Sequence, residues 1–180
     1  KEFFSMKKTS FTVQLVTMAF LIALEIILTR FLSINLPITR IGFGFLPVAI
    51  MGILFGPAWA GIGYAVGDLL GMLLFPTAGA YFPGFTLTAF LTGVTYGLIL
   101  HGKPVTWKRT TIAAVAVIVL YTLLLNTLWL NLMYGKGFLA LMPPRLLQGA
   151  IMIPIQAILI HSVWVRVVSK LPFTTAIATK

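Results

Sequence analysis

Hydrophobic residues fill six long stretches of this chain, at approximately 11–29, 45–55, 58–75, 84–100, 111–134 and 145–168. The segments between them gather glycine, proline and basic residues. Runs of this kind predict helices that close their own backbone hydrogen bonds in an apolar solvent. Gly56-Pro57 is a tight-turn signal between the second and third runs, and Pro143-Pro144 suits the start of the sixth. The connection over 30–45, RFLSINLPITRIGFGF, is longer than a compact bundle needs and has the character of a lid.

Composition turns these helices into a membrane bundle. Of 180 residues, 59% are hydrophobic and 9% charged, against about 25% charged in soluble domains. The expected fold is all-α, an integral membrane bundle of six transmembrane helices forming one domain over 1–180, with no nucleotide-binding domain of its own. Residues 1–5 precede Met6 and read as expression remnants. Lys7 and Lys8 ahead of the first run set its entry from the cytoplasm. A signal peptide is disfavoured by the run's length, by Glu25 and by the lack of a small-x-small cleavage site. Six spans then return both termini to the cytoplasm.

The net charge of +10 is first an expression of the positive-inside bias, not of nucleic-acid binding. On this topology Lys1, Lys7, Lys8, Lys103, Lys108, Arg109, Arg166, Lys170 and Lys180 lie inside, and Trp107 is an interface anchor. Arg30, Arg40, Lys136 and Arg145 fall in outer connections, against the bias. An anion captured from outside would give them a purpose.

The polar residues near the outer end of the fifth run point the same way. Asn126, Trp129, Leu130 and Met133 share a helical face at i, i+3, i+4 and i+7, and Arg145, Gln148 and Gly149 begin a face of the sixth helix at the same depth. Asn131, Tyr134 and Lys136 lie alongside, and Arg40 and Phe43 of the preceding lid are further candidates. Trp129 or Tyr134 can stack on a planar ring, asparagine can pair with a heteroaromatic edge, and arginine or lysine can hold a carboxylate. A flat polar heterocycle with an acidic tail fits the set. Each residue also has an ordinary reading: Trp129 and Tyr134 as belt aromatics, Lys136 snorkelling, Arg145 capping loop carbonyls.

Glu25 and Asp68 are acids within spans, Asp68 about 15 Å into the third at 1.5 Å per residue. Each is either paired structurally or part of the site. Ala19 and Ala23 share a face of the first helix at small-xxx-small spacing, roughly opposite Glu25; internal packing or a docking face would both explain them.

Catalysis has little to work with. There is no cysteine, the histidines are His101 and His161, the acids are Glu2, Glu25 and Asp68, and no phosphate loop, H-E-x-x-H or G-x-S-x-G occurs. No enzyme activity, cofactor or metal is expected. A carrier coupled to ions through Glu25 and Asp68 is an alternative, though no internal repeat accompanies it.

Residues 124–156, LLNTLWLNLMYGKGFLALMPPRLLQGAIMIPIQ, together with RIGFGFLPVAIMGILFGP at 40–57 and GDLLG at 67–71, resemble the folate-specific S-components of energy-coupling factor (ECF) vitamin transporters. The resemblance implies a subunit that captures folate outside a prokaryotic cell membrane and delivers it by toppling. A separate transmembrane coupling protein and two ATPase subunits would supply the energy. Ala19 and Ala23 match the family's docking motif, and Asn126, Trp129, Tyr134, Lys136 and Arg145 lie within the folate-branch motif.

Overall fold

The computed structural model describes residues 11–35, 40–75, 81–135 and 138–170. In order these form α1 (Phe11–Arg30), strands β1 (Ile34–Asn35) and β2 (Arg40–Ile41), α2 (Phe45–Leu74) and α3 (Pro83–Leu100). Then come α4 (Trp107–Val117), a π-helical stretch (Ile118–Leu125), α5 (Asn126–Tyr134), α6 (Phe138–Arg166) and a 3-10 turn (Val168–Lys170). Because α4, the π stretch and α5 run on as one rod, five helical units among the described residues are long and apolar enough to cross a bilayer.

The expected second and third spans together make α2, which reverses at Gly56. That residue has φ 82° and ψ −177°, a conformation for which glycine is suited because it has no Cβ. The reversal follows from the contacts. A Cβ placed on Gly63 would lie 3.0 Å from Met51 Sδ, and Gly44 and Gly67 both abut the Glu25 carboxylate. Along a straight helix Met51 and Gly63 would be about 18 Å apart. Pro57 has no N–H, so the Ile53 carbonyl loses its helical donor. His101 Nδ1 supplies one instead, at 2.8 Å; since a carbonyl only accepts, Nδ1 carries the proton. The segment before the bend, 45–55, extends only about 16 Å.

Two other boundaries differ from expectation. α4 begins at Trp107, not near 111, and the hydroxyls of Thr110 and Thr111 bond back to the Trp107 carbonyl at 3.0 and 2.8 Å. α6 begins at Phe138, so Pro143 and Pro144 lie inside it and not ahead of it. They remove the bonds that the Leu139 and Ala140 carbonyls would accept, close to the helix end, a loss that membrane helices tolerate. The loop expected as a lid contains the small antiparallel pair, Ile34 opposite Ile41 and Asn35 opposite Arg40.

Close backbone approach holds α2 to α3. A Cβ on Gly97 would run into the Pro57 backbone, and one on Gly93 into that of Ala60, which is the packing that small residues allow in membranes. Farther in, the fully buried Tyr96 donates to Gln156 Oε1 at 2.9 Å and joins α3 to α6. α1 is the least buried of the long helices. It turns Leu21 and Glu25 inward and leaves Val16, Ala19, Phe20, Ala23 and Ile27 exposed.

Candidate functional site

The polar side chains inside the bundle fall into two groups. The first lies where the π stretch, α5 and α6 meet the start of α3. In the π stretch the Asn126 N–H passes over its α-helical acceptor, Thr122 O, and bonds to Tyr121 O. Arg145 of α6, only 7% exposed, reaches across to that carbonyl: its Nη1 donates to Thr122 O at 2.7 Å and to Thr127 Oγ1 at 3.3 Å. These bonds fix the guanidinium without satisfying it. Arg145 Nε and Asn126 Oδ1 are buried and have no partner among the described residues. A buried donor or acceptor left open costs about 1–3 kcal/mol. A ligand offering the complementary groups would recover that cost.

Trp129 follows Asn126 by three residues in α5. Its Nε1–H donates to Thr88 Oγ1 at 2.9 Å, and the Thr88 hydroxyl donates to the Gly84 carbonyl at 3.0 Å. The indole lies against Gly84, where a Cβ would come within 2.7 Å of Cδ2, so glycine leaves the space the ring occupies. Phe82 packs against both, its ring centre 5.5 Å from that of the indole and inclined at 50°. The ring is thereby held at a fixed angle on α3. Gln148 and Asn131 are half-buried nearby in sequence, Phe43 is 37% exposed, and Tyr134 faces outward at 55% exposure. Lys136 lies outside the described residues, and only the backbone of Arg40 is described.

The second group contains the two intramembrane acids. Glu25 is 2% exposed, accepts from the Thr29 hydroxyl at 2.8 Å, and sits between Gly44 and Gly67. Asp68 accepts from the Thr86 hydroxyl through Oδ2 at 2.8 Å and faces Arg30 Nη2 through Oδ1 at 3.9 Å. Arg30 Nη2 also reaches the Asp68 carbonyl at 3.5 Å. Arg30, expected among the anion-binding cations, thus has an acid of its own chain beside it. Thr29, Thr86 and Arg30, which meet these acids, lie on α1 and α3, whereas Thr122 and Thr127, which meet Arg145, lie on the π stretch and α5.

A groove of about 240 Å³ lies elsewhere, among Phe11, Met18, Leu54, Trp59 and His101 at the α2 bend. It is separated from Gly84 by nearly the length of α3, roughly 25 Å. Among the described residues its lining includes Gln14 and His101 but no lysine or arginine. The sequence reading missed Thr88, Gly84, Phe82, Thr122 and Thr127. Thr86, Thr88, Thr92 and Thr95 in one apolar run were the available signal, since hydroxyls inside membrane helices commonly bond across helices.

Long apolar helices, close glycine packing and a buried polar wall with open hydrogen-bonding groups define a membrane-embedded protein built to hold a small polar ligand. Comparison with known proteins narrows that class. Residues 13–164 match the family model "ECF transporter, substrate-specific component". The chain is 49% identical over 164 residues to the folate transporter FolT of Clostridium novyi (strain NT), covering 91% of this chain and 94% of that one. It is 33% identical to FolT of Leuconostoc mesenteroides over 152 residues, covering 81% of this chain and 80% of that protein. A crystal structure of FolT bound with folic acid superposes with a TM-score of 0.80 at 45% identity, covering 84% of this chain and 92% of that one. The chain belongs to the ECF transporter substrate-specific component (S-component) family.

Proposed function

We propose that this protein is the folate-capturing subunit of an ATP-driven ECF vitamin importer in a bacterial plasma membrane. The observation that carries the ligand assignment is the pair of buried open groups, Arg145 Nε and Asn126 Oδ1, with the fixed ring of Trp129 three residues along α5 from Asn126. Folate has a flat pterin with donors and acceptors on its edge and a glutamate tail. Trp129 offers the pterin a stacking face, Asn126 pairs with its edge, and Arg145 holds an anionic group. Gln148, Asn131, Lys136, Arg40 and Phe43 complete the wall in this reading. The folic acid named with the similar FolT structure supports the choice of vitamin.

In the same reading the chain crosses the membrane six times, with the two arms of α2 as separate passes and both termini cytoplasmic. Folate enters from outside. α1 presents Ala19 and Ala23 on its exposed face, where they dock to a coupling protein whose two ATPase partners drive toppling and release. An ion-coupled carrier would need free intramembrane acids. Glu25 and Asp68 are engaged with Thr29, Thr86 and Arg30, which favours the dependent subunit.

Calorimetric titration of the purified protein with folate, with riboflavin and thiamin as controls, tests this function. Tight one-to-one binding of folate alone, without ATP or an ion gradient, is expected. Absence of folate binding by folded protein would overturn the assignment.

A further inference from the structure

The second polar group forms a chain with a direction. Thr86 has one hydroxyl proton and gives it to Asp68 Oδ2 at 2.8 Å. The 3.2 Å contact between Thr86 Oγ1 and Tyr81 Oη is therefore donated by tyrosine. The sequence of contacts runs Tyr81 O–H to Thr86 Oγ1, Thr86 O–H to Asp68 Oδ2, and Asp68 Oδ1 to Arg30. Arg30 is the last residue of α1, and its guanidinium lies along Gly71 of α2, 2.8 Å from where a Cβ would be. Phe31 packs edge-on against Phe75 at 5.0 Å and fastens the same helix ends. Three helices are thus joined through one carboxylate.

Thr86 and Thr88 both lie in the first two turns of α3. Two residues apart on a helix, they point about 200° from one another. Asp68 grips α3 from one side through Thr86, and Trp129 rests on the opposite side through Thr88 and Gly84. If the start of α3 turned or slid, the acceptor and the surface that orient Trp129 would move with it.

We propose that Arg30, Asp68 and Thr86 are positioning residues for the ligand wall: they clamp the start of α3 to the ends of α1 and α2 and so hold Trp129 in its binding orientation. Asp68 acts here on the wall and does not touch the ligand. The effect on folate rests on the function proposed above; the effect on Trp129 does not.

The test uses full-length protein in lipid nanodiscs, with Trp59, Trp107 and Trp164 replaced by phenylalanine so that Trp129 alone of the four tryptophans reports. Acrylamide quenching is measured without ligand, and folate dissociation by stopped flow. Thr86→Val is expected to raise Trp129 quenching and to speed folate release about tenfold, the lower end of the range for losing one hydrogen bond to a charged group. Thr86→Ser keeps the hydroxyl and should restore both readouts, which a role in packing the threonine methyl would not allow. Asp68→Asn should resemble Thr86→Val. If Asp68→Asn does not fold, the Thr86 pair still decides. Unchanged quenching in folded Thr86→Val, or equal loss in Thr86→Ser, overturns the clamp. Failure of the parent protein to bind folate would overturn the ligand assignment, while the quenching comparison would still judge the clamp.

Discussion

Two polar groups share this bundle, and they differ in what is left over once the protein's own bonds are counted. Around Asp68, the carboxylate oxygens face Thr86 and Arg30, and the hydroxyl beside them is itself engaged by Tyr81. Around Arg145, two contacts to Thr122 and Thr127 fix the guanidinium, yet its Nε and the Oδ1 of Asn126 stay open and buried. Burial alone does not separate the groups, for Arg30 and Arg145 are both largely covered. The remaining hydrogen-bonding capacity does. At Arg145 and Asn126 that capacity is what the proposed ligand would use.

The largest expected effect comes from a third surface and shows that capture and transport are separable. Replacing Ala19 and Ala23 by leucine should abolish folate uptake by cells carrying the whole transporter while leaving calorimetric affinity nearly unchanged, because both alanines are on the exposed face of α1. Loss of binding would place that face in the pocket or the core. Arg145→Ala comes next, weakening folate binding by about 1.5–3 kcal/mol, the range for hydrogen bonds to a charged group. Arg145→Lys should recover only part of this, since an ammonium that takes the place of Nη1 leaves no donor where the buried Nε–H stands. Full recovery would mean that charge alone matters there.

Smaller effects resolve the wall itself. Thr88→Val removes the acceptor of the Trp129 N–H and should cost about 0.5–1.5 kcal/mol of folate affinity. A neutral result would show that the indole is oriented by Phe82 and Gly84 alone. Tyr134→Phe should shift affinity by less than about 0.5 kcal/mol, as for surface substitutions generally, because the ring faces outward. A large loss would bring that ring into the pocket.

Much of the architecture was legible from hydrophobic runs and punctuation. Gly56-Pro57 marked the reversal because positive φ and a missing N–H are local properties, which sequence displays. The start of α6 was not legible: Pro143-Pro144 suits a helix start, and the chain carries the pair inside the second turn instead. In the site, helical spacing placed Asn126 and Trp129 on one face and singled out Arg145. It said nothing about Thr88, 41 residues from Trp129, or Asp68, 38 residues from Arg30. Spacing fixes which face a residue takes, but not which helix packs against that face. Arg30 was read as a spare cation for this reason. Its partner lies on another helix, and only packing brings the two together.

The most direct test of the open-group account is the ratio of folate dissociation constants for the wild-type protein and Arg145→Ala, measured by calorimetry on folded, monodisperse samples. One-to-one binding by the wild type and a weakening of roughly 10- to 150-fold in the variant are expected. Equal affinities, or no wild-type binding, would contradict it.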